Sequence, residues 1–173
     1  MSERGSISST LTIAVVIIIG VIVITVYPLM KTAEKVDNAS QVSLQAELQD
    51  FVNEQCNKGR LSKDDLYKFL EKVTGPNNYD YEIEVKIPGE NQGKKTSQVV
   101  SDKSGESTYT IYYTSQVMDY IDKDGEMLLP KDTQIRMYLE NTNKTMGQEL
   151  SSPTSDSPNI VAEAVATSTK DVK

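Results

Sequence analysis

The chain has no histidine and no tryptophan, one cysteine and two phenylalanines in 173 residues. The missing histidine removes the commonest general base and the commonest transition-metal ligand. A single cysteine excludes an internal disulfide framework and a cysteine zinc cage. Bases are outnumbered, 18 against 25 acids, for a net charge of −7. That balance argues against a nucleic-acid partner. Few large aromatics beyond nine tyrosines point to a modest core. The length suits one domain with appendages.

What the chain does have is one extreme apolar run. No charged residue lies between Gly5 and Met30, and Leu11–Leu29 reads LTIAVVIIIGVIVITVYPL. At ~1.5 Å per helical residue this run matches a hydrocarbon core of ~30 Å. Leu, Ile and Val supply 13 of its positions. At ~0.3–0.6 kcal/mol each they favour insertion by roughly 4–8 kcal/mol before Thr, Tyr and Pro subtract from it. Strands rarely run this long. A secretory signal would have a shorter apolar core and a small-x-small cleavage site, whereas here Tyr27-Pro28-Leu29-Met30-Lys31 follows. The reading is an uncleaved, single-pass membrane helix in the cell membrane. Leu11, Ile13, Val15, Ile18, Val21, Ile24 and Leu29 serve as anchor residues. The bilayer is the first expected partner. Flanking charges nearly balance, and the short amino-terminal flank suggests an extracytoplasmic carboxy-terminal domain.

The helix is expected to continue beyond the membrane, since no Gly or Pro lies between Met30 and Cys56. Leu44, Leu48, Phe51 and Val52 fall at i, i+4, i+7 and i+8, one face of a 3.6-residue period. They suit either the head's own core or packing against neighbouring subunits. Gln45 and Gln49 belong with the polar side. Gly59 is placed as the C-terminal cap. Leu61-Ser62, with Asp65 and Leu66 following, reads as a shortened capping box with a hydrophobic staple. A second helix over Lys63–Thr74 follows, ended by Gly75-Pro76.

Tyr79–Ile87 alternates five apolar or aromatic residues with four charges, a half-buried strand. Residues 88–106 read as a polar loop. Thr108–Tyr113 suits a strand, and Thr114–Asp122 a short helix capped by Thr114 or Ser115. Met127–Leu129 and Thr133–Glu140 suggest a hairpin across Pro130-Lys131-Asp132. Ser151–Ser157 resembles a linker, Ile160–Thr167 suits a final strand or a weak helix, and STKDVK at the end should fray. The fold class is therefore α+β: a transmembrane helix continuing into a long amphipathic helix, packed on a small, mostly antiparallel sheet with a second short helix. The organisation is 1–30 flank and membrane helix, 31–150 head, and 151–173 linker with a terminal strand.

No constellation of residues points to catalysis or to a metal. With Gly125 at the sixth position of an EF-hand loop, Tyr120 and Lys131 take its first and twelfth positions, where acids are needed. Asp80, Glu82, Glu84 and Lys86 share a strand face and read as solvated. Cys56 reads as a buried structural residue. Asn38-Ala39-Ser40 and Asn143-Lys144-Thr145 are acceptor sequons. No active site, cofactor, metal or small-molecule substrate is expected, and the chain reads as a non-enzyme. Within the apolar run only Thr12, Gly20 and Thr25 depart from aliphatic bulk as contact points for another helix.

The order of elements resembles type IV pilin-like proteins: a short flank, an apolar helix, its amphipathic continuation, then a small head. The segments FVNEQCNKGRLSKDDLYKFLEKV, YDYEIEVKI and MDYIDKDGEMLLPKDTQIRMYLENTNKT are similar to TadE-like, minor-pilin-like proteins of tight-adherence secretion clusters in Gram-positive bacteria. The elements that carry the likeness are Gly59–Leu66, Tyr79–Ile87, Asp124–Asp132 and Asn141–Thr145. The resemblance implies a structural subunit or accessory of a surface filament or secretion apparatus. Its partners would be copies of itself, other pilin-like subunits and secretion platform proteins. It also implies processing between Gly5 and Ser6 by a prepilin-type peptidase. Pilins carry Glu at the fifth position after that point, and this chain carries Thr10. The departure counts against processing and against a major filament subunit, and leaves a membrane-retained, minor or accessory role open. The alternative is a membrane-tethered extracytoplasmic binding or sensor module, with its pocket in residues 88–106.

Overall fold

The computed structural model describes residues 3–74, 79–89, 98–101, 108–150 and 159–171, and gives the backbone path alone for 3–10, 74, 98–101, 108, 146 and 147. Gly75-Pro76, most of the stretch expected as a polar loop, and the Ser151–Ser157 linker lie outside the described residues. The chain divides into two units, Met1–Ala39 with Thr145–Pro158, and Ser40–Lys144 with Asn159–Lys173.

A single helix, α1, runs Glu3–Lys58 through Pro28. It stops where the sequence predicts: Gly59 takes a left-handed φ of 72° and its N–H donates to the Gln55 and Cys56 carbonyls. The first unit also holds α4, Met146–Leu150, opened by Thr145: its Oγ1 accepts from Gln148 N–H, and its N–H donates to the Gln148 side chain.

The second unit contains β1 (Arg60–Ser62), α2 (Lys63–Thr74), β2 (Tyr79–Pro88), β3 (Gln98–Ser101), β4 (Thr108–Tyr113), α3 (Thr114–Asp124), β5 (Glu126–Leu128), β6 (Gln134–Asn141) and β7 (Val161–Thr167). Five strands form an antiparallel sheet in the order β3-β4-β2-β6-β7, and β1 pairs with β5 in a separate ribbon. The period-2 pattern of β2 sets the register. Ile83, Val85 and Ile87 on one face join Ile135, Met137 and Leu139 of β6 and Ala162 and Ala164 of β7. Against that face pack Leu44, Leu48, Phe51, Val52 and Cys56 of α1, the Leu66, Phe69, Leu70, Val73 stripe of α2, and Val117 and Ile121 of α3. The Phe51 and Phe69 rings stack with centroids 4.4 Å apart.

Several expectations are corrected. The hairpin of Met127–Leu129 with Thr133–Glu140 does not form. Both edges of β6 are taken by β2 and β7, so β5 turns to β1 and Leu129 N–H donates to Gly59 O at 2.9 Å. The stretch 88–106 is not wholly loop, because Gln98–Ser101 pairs with β4 as an edge strand. The N-cap of α3 is Tyr113, whose N–H donates to the Gln116 side chain at 3.0 Å. Thr114, expected as a cap, instead bonds β2. Asp65 ties α2 to α1 by accepting from Lys58 Nζ at 2.7 Å and from Gln55. Ile160–Thr167 resolves as strand over Val161–Thr167. The STKDVK end does not fray at Ser168, which is fully buried: its hydroxyl lies 2.9 Å from Leu129 O and 3.2 Å from Cys56 O. Lys170 Nζ reaches Lys58 O, so the segment after β7 satisfies carbonyls in the last turn of α1.

The polar side of α1 also has a structural role. Gln45 exchanges two hydrogen bonds with the Glu163 backbone, donating to its carbonyl at 2.6 Å and accepting from its N–H at 3.1 Å. Gln49 donates to Val165 O at 3.3 Å. The two glutamines imitate a neighbouring strand and occupy the outer edge of β7, the kind of edge that otherwise recruits other chains.

Candidate functional site

The first candidate is the apolar stretch of α1. Its 13 Leu, Ile and Val residues over Leu11–Leu29 are all exposed, from 41% at Val26 to 77% at Ile24. Exposure is not confined to one stripe: every residue from Leu11 to Ile19 is exposed, and these point in all directions around the helix. Burying such side chains is worth ~1.5–3 kcal/mol each, so 13 of them about half exposed leave on the order of 10–20 kcal/mol unrealised in water. The helix is long and apolar enough to cross a membrane. The anchor positions Leu11, Ile13, Val15, Ile18, Val21, Ile24 and Leu29 lie on this surface.

Polar groups inside the stretch are held locally. Thr25 Oγ1 donates to Val21 O at 2.6 Å, and beyond the stretch Thr32 Oγ1 donates to Pro28 O. Pro28 has no N–H for Ile24 O, which leaves one carbonyl of the helix without its usual donor. Gly20 is half-buried, and a methyl group added there would meet nothing within 4 Å. Gly5 and Ser6 lie in the first turns of α1.

Leu44, Leu48, Phe51 and Val52 are placed differently. All four are buried in the core shared with the sheet and α2. Of the two roles open to them from sequence, the head's own core is the one their burial supports.

Cys56 is buried and free, and burial pushes its thiol up to about 11. Such a thiol is protonated near neutral pH. Asn38 and Asn143 are both exposed. Among the described residues no group of three or more Cys, Asp or Glu is arranged to hold a metal ion.

The second candidate is a cleft of about 600 Å³ lined by Tyr81, Glu82, Ile83, Glu84, Tyr113, Thr114, Ser115, Met118, Arg136 and Tyr138. It forms where β4 leaves the sheet. The pairing of β4 with β2 stops at Tyr113 opposite Glu84, while β6 accompanies β2 back to Tyr79. The chain turns into α3 there, and Thr114 Oγ1 takes the place of the next strand residue, accepting from Ile83 N–H at 2.9 Å and donating to Ile83 O. Glu82 and Glu84 of β2 and Arg136 and Tyr138 of β6 line it from the sheet. Lys86 pairs with Glu84 at 2.8 Å and Arg136 with Glu163 at 2.6 Å. Tyr138 donates to Glu140 at 3.0 Å, and Asn159 donates to the other oxygen. These bonds, Asn159's first, hold the Glu140 carboxyl below its usual range, and the Glu140 contact pushes the Tyr138 phenol up. Glu163 raises the Arg136 guanidinium further.

Sequence reasoning named Glu82 and Glu84 only as a solvated strand face and missed the cleft. The alternating Gln134, Arg136, Tyr138 and Glu140 were the available signal. They acquire meaning only once the register sets Arg136 beside Glu84 and Tyr138 beside Glu82. The pocket expected in 88–106 falls mostly outside the described residues; among those described, a hollow of about 300 Å³ is lined by Pro88 and Gly89 with Tyr112, Tyr120 and Pro130.

No protein-family model, curated protein or solved structure matches this chain.

Proposed function

We propose that this chain is a single-pass, pilin-like membrane protein whose α+β head lies outside the cytoplasm and whose work is assembly. It would serve as a structural subunit or accessory of a surface filament or secretion apparatus, associating with copies of itself or with other pilin-like subunits. The observation that carries the reading is the surface of Leu11–Leu29: aliphatic on every side and exposed in the isolated chain, on the same unbroken helix that supplies Leu44–Cys56 to the head core. Such a surface is stable only against lipid or against other apolar helices. Lipid serves the free subunit, and helices replace it in an assembly. Because the head uses Leu44, Leu48, Phe51 and Val52 internally, the contact between subunits falls to the membrane segment, where Gly20 is the point of closest approach and Thr12 and Thr25 flank it. Thr10 at the position where pilins carry Glu suits a subunit that stays in the membrane.

The test is crosslinking. With Cys56 replaced by alanine, single cysteines placed at successive positions from 11 to 29 in native membranes should crosslink in a pattern of helical period centred on Gly20. A uniform absence of crosslinks would leave a monomeric anchor and end the assembly reading. Mass spectrometry of the mature amino terminus tests Gly5-Ser6 separately: a terminus at Ser6 supports processing, and an intact one excludes it.

A further inference from the structure

The cleft at the start of α3 takes most of its lining from strands, which fixes the spacing of its side chains. Tyr113, Glu84 and Arg136 stand in one row across β4, β2 and β6, and Glu82 stands beside Tyr138 in the next. Strand alternation puts all five on the face opposite the buried Ile83, Ile135 and Met137. Strands ~4.8 Å apart and rows ~6.8 Å apart set the Tyr113 and Tyr138 backbones about 12 Å from each other. Both tyrosines line the cleft, and Tyr113 is 42% exposed. The volume of about 600 Å³ lies within the ~300–1,000 Å³ usual for small-ligand sites.

The polar groups of the lining are already held in place. Lys86 lies 2.8 Å from Glu84, Arg136 Nε donates to Glu163 at 2.6 Å, and the Tyr138 hydroxyl donates to Glu140 at 3.0 Å. A guanidinium has further N–H donors beyond Nε, a carboxylate accepts at both oxygens, and a phenol that donates still accepts. The wall is thus fixed without being used up, which lowers the cost of ordering it around a ligand. It also carries both signs of charge, Glu82 and Glu84 against Arg136, so it selects neither a cation nor an anion. A hydroxyl donates and accepts, so a ligand rich in hydroxyls suits such a wall throughout. A sugar ring adds a face of C–H bonds that packs on a tyrosine ring, whose face is electron-rich.

We propose that this cleft binds an uncharged oligosaccharide, stacked on Tyr138 and Tyr113 and hydrogen-bonded through its hydroxyls to Arg136, Glu84 and Glu82. The two rings stand far enough apart for each to take its own sugar ring. Stacking supplies most of the affinity, and the fixed carboxylates and guanidinium choose among hydroxyl arrangements. The inference does not depend on assembly through the membrane helix.

The experiment uses the full chain in a polyoxyethylene detergent, because a sugar-headed detergent competes for the site. The probes are maltotriose, cellotriose and the trimer of N-acetylglucosamine. The trimers of galacturonic acid and of glucosamine are their anionic and cationic counterparts, and saturation-transfer NMR reads binding. A neutral trimer should bind saturably in the millimolar range and more tightly than either charged one. Tyr138→Ala should weaken that binding by about tenfold or more, and Tyr138→Phe, which keeps the ring, by less than about threefold. Arg136→Lys keeps the charge and loses the planar fork, and it too should weaken binding by about tenfold. Slow labelling of the buried Cys56 thiol establishes that each variant is folded. No saturable binding of any neutral trimer overturns the inference. So does tighter binding of a charged trimer, or a folded Tyr138→Ala that binds as the parent does.

Discussion

Ser168 offers a sharp test of how the end of the chain stabilises the head. In Ser168→Ala the backbone bonds of this residue survive: its N–H still donates to Thr133 O and its carbonyl still accepts from Asp132, each at 2.8 Å. Only the hydroxyl is lost, from a site with no solvent exposure. That hydroxyl lies 2.9 Å from Leu129 O and 3.2 Å from Cys56 O. Cys56 O keeps the Gly59 N–H at 3.1 Å, so the deficit falls mainly on Leu129 O. Leaving a buried carbonyl without its donor costs ~1–3 kcal/mol, where a surface hydroxyl would cost a few tenths. For a domain of this size that is a fall in Tm of about 4–12 °C. Cys56 is a built-in reporter, because its thiol is buried and no other cysteine competes with it. Maleimide labelling along a temperature ramp, with the full chain in detergent, therefore reads unfolding of the head and ignores the apolar helix. Thr169→Ala, at an exposed neighbouring position, should leave the curve unmoved. If Ser168→Ala melts within about 1 °C of the parent, or if Thr169→Ala falls as far, the hydroxyl does not hold the end of α1 to the sheet and the reasoning is wrong.

Leu48 is fully buried, so Leu48→Ala should lose ~2–5 kcal/mol in the same labelling assay, and a loss under about 1 kcal/mol would mean the site collapses around the gap. An arginine at the middle of the apolar helix costs ~2.5–3.5 kcal/mol against a total preference of roughly 4–8. Ile18→Arg should therefore be partly extracted from membranes by alkaline carbonate, and Ile18→Arg with Ile22→Arg fully extracted; retention of the double variant would remove the basis for membrane insertion of this segment. Burial raises the Cys56 thiol from 9.0 to about 11, so the folded state holds a proton that the unfolded state releases earlier. Its contribution is intact below pH 9 and is lost as pH climbs from 9 to 11. Denaturant unfolding across that window should show a steeper loss for the parent than for Cys56→Ala, and parallel curves would contradict the cause given for the shift.

Local signals were legible where one residue type has one physical use. Gly59 could end α1 because it accepts a positive φ, and the stripe from Leu66 to Val73 could only be a helix face, so α2 was readable to its ends. The strict alternation of Tyr79–Ile87 disclosed both the strand and its buried side. Pairing was less legible, because it depends on what else competes for an edge. Met127–Leu129 and Thr133–Glu140 are adjacent in sequence and joined by turn residues, which makes a hairpin the local answer. The competing partners are β2 and the distant β7, and they bury Ile135, Met137 and Leu139 on both sides. Once they hold β6, β5 has only β1 to pair with. Nothing in a window of ten residues contains that information.

The site was harder to read than the fold for a related reason. Thr114 carries a strong helix-capping signature, and a local reading assigns its hydroxyl to the helix it opens. In the folded chain that hydroxyl serves β2 instead, closing the Ile83 backbone where β4 has turned away, while Gln116 caps the helix. Which of two open hydrogen bonds a hydroxyl fills depends on where the sheet ends, and that is a long-range fact. The register of the same sheet brings Tyr138 to Glu82 and Arg136 to Glu84. Four residues that read separately as strand surface, Glu82, Glu84, Arg136 and Tyr138, thus line one cleft. Gln45 and Gln49 make the converse case: they read as solvated helix surface, and they close the edge of β7. Polar side chains on a helix beside a sheet carry no local mark of this use, because the strand they cover is more than a hundred residues away.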